Sequence, residues 1–314
     1  MKEREVVYIG IDVSKETLDI DAGEYGVRKI ENTSAKIRPA LAAIARKADT
    51  PPQVCFESGA YLARLMAECQ GQGIAYSVLN PCKVSYFARS IAPAKTDALD
   101  ARAIRLYAEI TRPAPRPPPR PMLTRLRELV RVRGTLKKHI GALHPTLETV
   151  TDPDATQFIQ SSMAFLKKKV EKCDRLIAEV VKADEEMSGL VDALSGVKGV
   201  GTLTAIQMVA RMPELGTLGR RKAAALAGLA PRTRESGQWQ GKSFIGGGRK
   251  EVRTALFMSA TVATRHNPEM KALYERLKAT GKPHKVALTA VMRRLLCHLD
   301  SVARNYHAHR KTTA

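Results

Sequence analysis

The run RPAPRPPPRP, Arg112–Pro121, divides this chain before any other feature does. Its six prolines remove backbone donors and fix φ, so the run can be neither a helix nor a central strand. It is expected to be an extended polyproline-type linker. A chain of 314 residues then has room for a hydrophobic core on each side of the break.

Before the break, strand-like and helix-like runs alternate. VVYIGI and TLDIDAG read as a hairpin and VRKIENT as a third strand. SAKIRPALAAIARKA has helical spacing, with Pro39 expected in its first turn or at a kink. QVCFES reads as a fourth strand, YLARLMAECQGQG as a helix stopping at glycine, and IAYSVLN as a fifth strand. A short helix after Pro81 and the segment AKTDALDARAIRLYAEI follow. Three antiparallel-type strands followed by αβαβα is the element order of an α/β ribonuclease-H-like domain, here residues 1–112.

After the linker, residues 113–121, two long helical patterns occupy residues 122–189. Leu166, Val170, Cys173, Ile177 and Val180/Val181 recur at spacings of three and four, a narrow stripe suited to a helical hairpin or coiled coil. Such a coiled-coil-like middle serves either to join two subunits or as a spacer within one. Residues 190–314 are expected to form a mainly α-helical domain. It opens on LSGVKGVGTLTAIQMVARM, where two glycines precede an Ala-rich helix. That is either the turn of a helix-hairpin-helix motif, whose N–H groups meet a phosphate, or a plain glycine turn. The last helices run to about Tyr306, and the tail HAHRKTTA is expected to fray.

The formal net charge is +21, and it is unevenly placed. Residues 1–112 carry 16 Lys+Arg against 14 Asp+Glu, residues 113–192 carry 14 against 11, and residues 193–314 carry 22 against 6. A merely solubilising charge would be spread out, whereas this excess sits in the last third and points to a nucleic acid, bound through counterion release. A membrane surface is a poor alternative: no basic amphipathic helix has a Trp/Phe face and no apolar run is long enough to span. MKEREVVYIG lacks the apolar segment of a signal peptide. The five scattered cysteines have no CxxC spacing, which suits reduced thiols in a cytoplasm and argues against zinc. None of the seven histidines has metal-ligand spacing, His307 and His309 included. Tyr8, Tyr61 and Tyr86 are expected to pack.

The first strand of the core ends on Asp12, and QVCFE, its expected neighbour, ends on Glu57. Asp97 and Asp100, in KTDALDA, stand three apart, so one helix turns both to one face. Taken singly, each has a bland role: Asp12 as a turn former, Glu57 as a partner to the next helix, Asp97 as a helix cap. Together they converge at one end of a sheet, where bare carboxylates repel and divalent cations make the cluster stable. Two Mg²⁺ (Mn²⁺ being the alternative) would clamp a phosphodiester between attacking and leaving oxygens.

GIDVSK, ESGAY, KTDALDA and the later GLAPRTRESG and RTALFM resemble the insertion sequence 110 family of transposases, which includes Piv-type DNA invertases and recombinases guided by a bridge RNA. The resemblance covers nearly the whole chain. It implies a DNA transposase or site-specific recombinase of an insertion sequence, in a bacterial, nucleoid-associated setting. Asp12, Glu57, Asp97 and Asp100 match its DEDD tetrad in a RuvC-like domain, and Ser236 matches its nucleophilic serine. Partners so implied are donor and target DNA, a guide RNA, and a second copy of the chain, with homodimers assembling to a tetramer on DNA. The resemblance, not the spacing, selects Ser236, since Ser243 competes and most Ser-Gly pairs are turns. Around Ser236, Arg232, Arg234, Lys242, Arg249, Lys250 and Arg253 are expected to meet phosphates. GGGRK is expected to let backbone approach a strand closely. Trp239 would stack on a base or anchor its own loop. The rival readings are a junction-resolving nuclease that uses metal-activated water, a Piv-like invertase acting without RNA, and a non-catalytic scaffold.

Overall fold

The computed structural model describes residues 6–48, 50–91, 97–117, 120–233, 235–236, 239–241 and 243–313, with backbone alone at 97–98, 235–236, 239–240 and 313. About two-thirds of the chain is helical, 67%. It divides into two compact units, Met1–Pro118 and Pro119–Ala314.

In the first unit, β1 (Tyr8–Val13), β2 (Thr17–Asp21) and β3 (Val27–Glu31) form an antiparallel meander. Then come α1 (Ser34–Lys47), β4 (Gln53–Glu57), α2 (Ala63–Gly71), β5 (Ala75–Leu79), α3 (Pro81–Ile91) and α4 (Asp97–Thr111). The sheet order is β3-β2-β1-β4-β5, with β1, β4 and β5 parallel. This mixed α/β arrangement is ribonuclease-H-like, as the element order predicts.

Strand alternation sorts the side chains onto two faces. Ile9, Ile11, Leu18, Ile20, Val54 and Phe56 are buried with Ile37, Leu41 and Ile44 of α1 and Leu65 of α2. On the other face Tyr8, Cys55 and Leu79 pack with Val84 of α3 and Ile104 and Ala108 of α4. Burial pushes the Cys55 and Cys69 thiols up to about 12, which leaves both protonated and unreactive.

Three local expectations change. Pro39 lies in the second turn of α1 rather than the first, inside an unbroken helix. Tyr61 and Tyr86 do not pack; they are 50% and 73% exposed. Tyr86 stands two positions after the buried Val84 on α3, which turns it to the outer side of that helix. The described start of the linker, residues 113–117, has no regular secondary structure and is tied down: Gln53 Nε2 donates to the Pro113 carbonyl (2.7 Å), Ser77 Oγ to that of Ala114 (2.7 Å), and Arg116 N to that of Tyr76 (2.7 Å).

The second unit begins with a helical hairpin, α5 (Pro121–Thr149) and α6 (Pro153–Lys182). Asp152 caps α6, its carboxylate accepting from Ala155 N at 2.8 Å, and Pro153 opens the helix without wasting a donor. The predicted stripe is buried against α5: Met163 and Val170 meet Ile140 near the tip, while Ile177, Val180 and Val181 join Leu126 and Val130 at the base. That base shares one core with α7 (Glu185–Ser195), α8 (Thr202–Arg211), α9 (Arg220–Leu226), α10 (Lys250–His266), α11 (Pro268–Ala279) and α12 (His284–Thr313). The tail expected to fray is instead helical to Thr313. Tyr306 donates to the Glu186 carbonyl of α7 at 3.1 Å, and Arg310 pairs with the Glu186 carboxylate at 3.4 Å.

Candidate active site

Asp12 and Glu57 are register neighbours. Ile11 lies opposite Phe56 in the parallel β1–β4 pair, so the next residues along, Asp12 and Glu57, end two adjacent strands side by side. Alternation puts both on the face that carries Tyr8, Gly10 and Cys55, the face covered by α4. Both are half-buried.

Helix α4 reaches this face because of Gly10. A Cβ there would stand 2.1 Å from the Ala101 carbonyl oxygen and 2.5 Å from Arg105 N, so the helix backbone rests directly on the strand. Arg105 Nε fixes the contact by pairing with Asp21 at the far end of β2 (2.8 Å), and its Nη1 pairs with Glu109. Ala101 lies over Gly10 and Arg105 reaches Asp21, so the first turn of α4 lies toward the Asp12 end of β1. Asp97 opens that turn and the half-buried Asp100 closes it.

One further carboxylate belongs to this face, and the spacing gave no sign of it. Asp19 lies directly across from Asp12 in the β1–β2 ladder and is 7% exposed. Its charge is met by Lys29 of β3 at 3.2 Å, which offsets the repulsion of like charges facing across strands.

In the second unit, the segment between α9 and α10 is a β-hairpin. Arg232 and Phe244 exchange backbone hydrogen bonds at 2.8 and 3.0 Å. Above them β6 (Glu235–Ser236) pairs with β7 (Trp239–Gln240), Ser236 opposite Trp239. Ser236 and Trp239 are thus the outermost described pair; their side chains, with Arg234 and Lys242, lie outside the described residues.

The hairpin's root explains the glycines differently from the expectation. Gly228, Gly247 and Gly248 all have positive φ, and a Cβ on Gly228 would meet the Gly247 carbonyl oxygen at 2.1 Å. The close approach they permit is of one backbone segment to another within this chain. Arg253 Nη1 donates to the Ala227 carbonyl (3.0 Å) and to that of Gly247. Arg249 forks onto Glu214 (2.7 Å to each oxygen) and donates to the Arg211 carbonyl at the end of α8 (2.8 Å). Both arginines therefore hold the hairpin root, while Arg232 and Lys250 are exposed. Three more exposed cations, Arg220, Arg221 and Lys222, crowd the start of α9, the end of a helix that favours anions.

The Glu214–Arg249 fork carries a stability prediction. Burial alone would raise the Glu214 carboxyl, but the hydrogen bonds and charge of Arg249 outweigh it and hold the group below its ordinary value of 4.5. A depressed carboxyl stabilises the fold above its unfolded value, and that contribution is lost as pH falls through the folded value. Arg249→Ala is expected to cost about 1–2 kcal/mol at pH 7, discounted for the pair's partial exposure. In thermal melts the gap between parent and variant should close as the pH is taken from about 5 to about 3, and Lys250→Ala should leave the melting temperature nearly unchanged.

Residues 9–152 match a family model for the DEDD transposases of IS110, and residues 191–275 match the model described as Transposase IS116/IS110/IS902 family. The chain is 25% identical over 307 residues to the pilin gene-inverting protein of Moraxella lacunata, covering 92% of this chain and 93% of that one. It is 26% identical over 232 residues to the pilin gene-inverting protein of Moraxella bovis, 70% of each chain.

The chain belongs to the IS110 family of transposases.

It is also 28% identical over 190 residues to the 43.6 kDa protein of insertion element IS110 from Streptomyces coelicolor, 58% of this chain and 47% of that one. The transposase is accordingly an enzyme of DNA recombination, and its DEDD domain makes it dependent on divalent metal. Among the described residues no three His, Cys, Asp or Glu side chains gather closely enough to hold an ion; the side chain of Asp97 is not among them. In chemistry the candidate donors suit a hard divalent cation, all being carboxylate oxygen, and two of them, Asp12 and Glu57, stand side by side at the ends of adjacent strands. No helix among the described residues is long and apolar enough to cross a membrane.

Proposed function

We propose that the transposase cuts and rejoins DNA through a covalent link to Ser236, with Asp12, Glu57, Asp97 and Asp100 holding two Mg²⁺. The observation that carries this reading is the register of Asp12 and Glu57 on the face where α4 begins. Bound there, the cations supply charge neutralisation at the scissile phosphate and lower the pKa of a hydroxyl beside it.

The chain's own residues do the rest. Ser236 at the hairpin end attacks phosphorus, the P–O bond to a deoxyribose oxygen breaks, and that oxygen takes up a proton as the serine gives one up. The phosphodiester energy is kept in the serine link, so a second DNA hydroxyl reverses the step without a nucleotide cofactor. Arg232, Lys250 and the cations at the start of α9 line the exposed surface and suit DNA backbone. Hairpin positions Arg234, Trp239 and Lys242 belong to the same reading.

The family resemblance adds a guide RNA as the source of sequence readout, with which the wealth of Lys and Arg is consistent, and homodimers pairing to a tetramer so that one subunit's carboxylates serve another's serine. Residues 1–112, 122–189 and 190–314 then divide the work into metal cradle, subunit-joining arm and serine-bearing domain, in the bacterial nucleoid. The two pilin gene-inverting relatives favour a second reading, DNA inversion, which in this reading the chain performs without RNA. Purification of the chain from its own host separates the two: a single stoichiometric small RNA supports guidance, and its absence supports inversion by protein alone. Ser236→Ala tests the chemistry. It is expected to abolish cleavage as well as rejoining, whereas cleavage that persists would mean that water, or another residue such as Ser243, is the nucleophile.

A further inference from the structure

Asn32 stands just past the end of β3, 2% exposed, with no role in the reading above. Its side-chain Nδ2 donates to two carbonyls, Ser14 O at 2.9 Å and Tyr61 O at 3.4 Å. Ser14 lies two residues after Asp12 and Tyr61 four residues after Glu57, each in the loop that leaves its strand at the carboxylate end. The backbone of Asn32 extends the same tie. Its N donates to the Glu16 carbonyl at 2.8 Å, and its own carbonyl accepts Arg64 Nη1 from α2 at 2.8 Å.

The cost of this arrangement indicates its purpose. Among the described residues Asn32 Oδ1, which is buried, has no hydrogen-bond partner. Turning the amide over would satisfy nothing, since Oδ1 would then face two carbonyl oxygens. A leucine of similar size would carry no orphaned acceptor, so a residue that served packing alone would be better apolar. What only the amide supplies is a pair of N–H donors spanning the two loops.

We propose that Asn32 is a positioning residue, tying the loop behind Asp12 to the loop behind Glu57 and so fixing the spacing at which the two carboxylates meet a divalent cation. The inference rests on the reading of those carboxylates as the metal cradle. Outer residues that hold metal ligands in place change metal affinity or activity by about 10–100-fold when removed.

The test uses the full chain and the variant Asn32→Leu, with Asp12→Asn as reference. Three quantities are read: the melting temperature without metal, the affinity for Mn²⁺ by calorimetric titration, and the Mg²⁺ concentration giving half-maximal strand exchange. Asn32→Leu is expected to melt at or above the parent, to bind Mn²⁺ about tenfold or more weakly, and to need correspondingly more Mg²⁺. A merely structural asparagine would instead lower the melting temperature and leave both metal readouts alone. Parent-like Mn²⁺ binding by Asn32→Leu, with Asp12→Asn impaired, overturns the role of Asn32 and spares the cradle. Parent-like binding by Asp12→Asn overturns the cradle, and this inference with it. If leucine does not fold, Asn32→Ala is read in the same way, and failure of both to fold assigns Asn32 to sheet stability and overturns the proposal.

Discussion

Asp12→Asn and Asp97→Asn are expected to abolish strand exchange, by at least about a thousandfold, in a chain that still folds and still binds DNA. Asp12→Asn removes one negative charge from between Asp19 and Glu57, which stand on the strands to either side of β1. Repulsion falls, so the melting temperature without metal should stay level or rise. DNA affinity should change little, because the cations that attract the backbone lie mostly in residues 193–314, 22 Lys+Arg against 6 Asp+Glu. Melting, gel-shift and exchange assays on the same preparations separate these outcomes. Exchange at the parent's rate in both variants would mean that the carboxylates are a relic and the chain a scaffold.

Gly10→Ala should cost about 3 kcal/mol or more, the upper range for overpacking. The added methyl group has no flexible side chain to push aside: it meets the Ala101 carbonyl and the Arg105 amide of α4, backbone atoms at 2.1 and 2.5 Å. Helix α4 must lift from β1, and the Arg105–Asp21 pair at 2.8 Å lengthens with it. With domain stabilities of about 5–15 kcal/mol, such a loss lowers the melting point of the first unit by about 10 °C or more. Amide exchange should accelerate first in α4, and strand exchange should fail because Asp97 and Asp100 ride on that helix. An unchanged melting point and normal exchange protection in α4 would contradict the packing described.

What the sequence made legible was whatever is local and periodic. The alternation of Ile9, Ile11, Leu18 and Ile20 fixes which face of the sheet is core, and with it the side on which Asp12 stands. The 3–4 spacing from Leu166 to Val181 shows which side of α6 is buried, although the stripe alone does not distinguish an intrachain hairpin from a coiled coil between subunits. Contacts between residues far apart in the chain left no such trace. Arg249 and Arg253 read as phosphate contacts because they lie near Ser236 in a basic stretch, yet their partners, Glu214 and the Ala227 carbonyl, precede them by 35 and 26 residues. The glycines of GGGRK serve Gly228, on the other side of the hairpin. Gly10 looked like any residue of a strand, and its meaning comes only with Ala101 lying over it. Asn32 gave no signal, since a single asparagine after a strand is an ordinary turn residue.

Peptide mapping of the protein–DNA adduct tests most directly whether Ser236 is the nucleophile and whether the carboxylates of the first unit are needed for its attack. Reactions quenched in denaturant are digested with protease and nuclease, and the peptide carrying a nucleotide is identified by mass spectrometry. The expected result is a nucleotide phosphoester on Ser236, present with Mg²⁺ and absent in chelator or in Asp12→Asn. An adduct on Ser243 or any other residue, or strand cleavage at the parent's rate with no adduct at all, would contradict it.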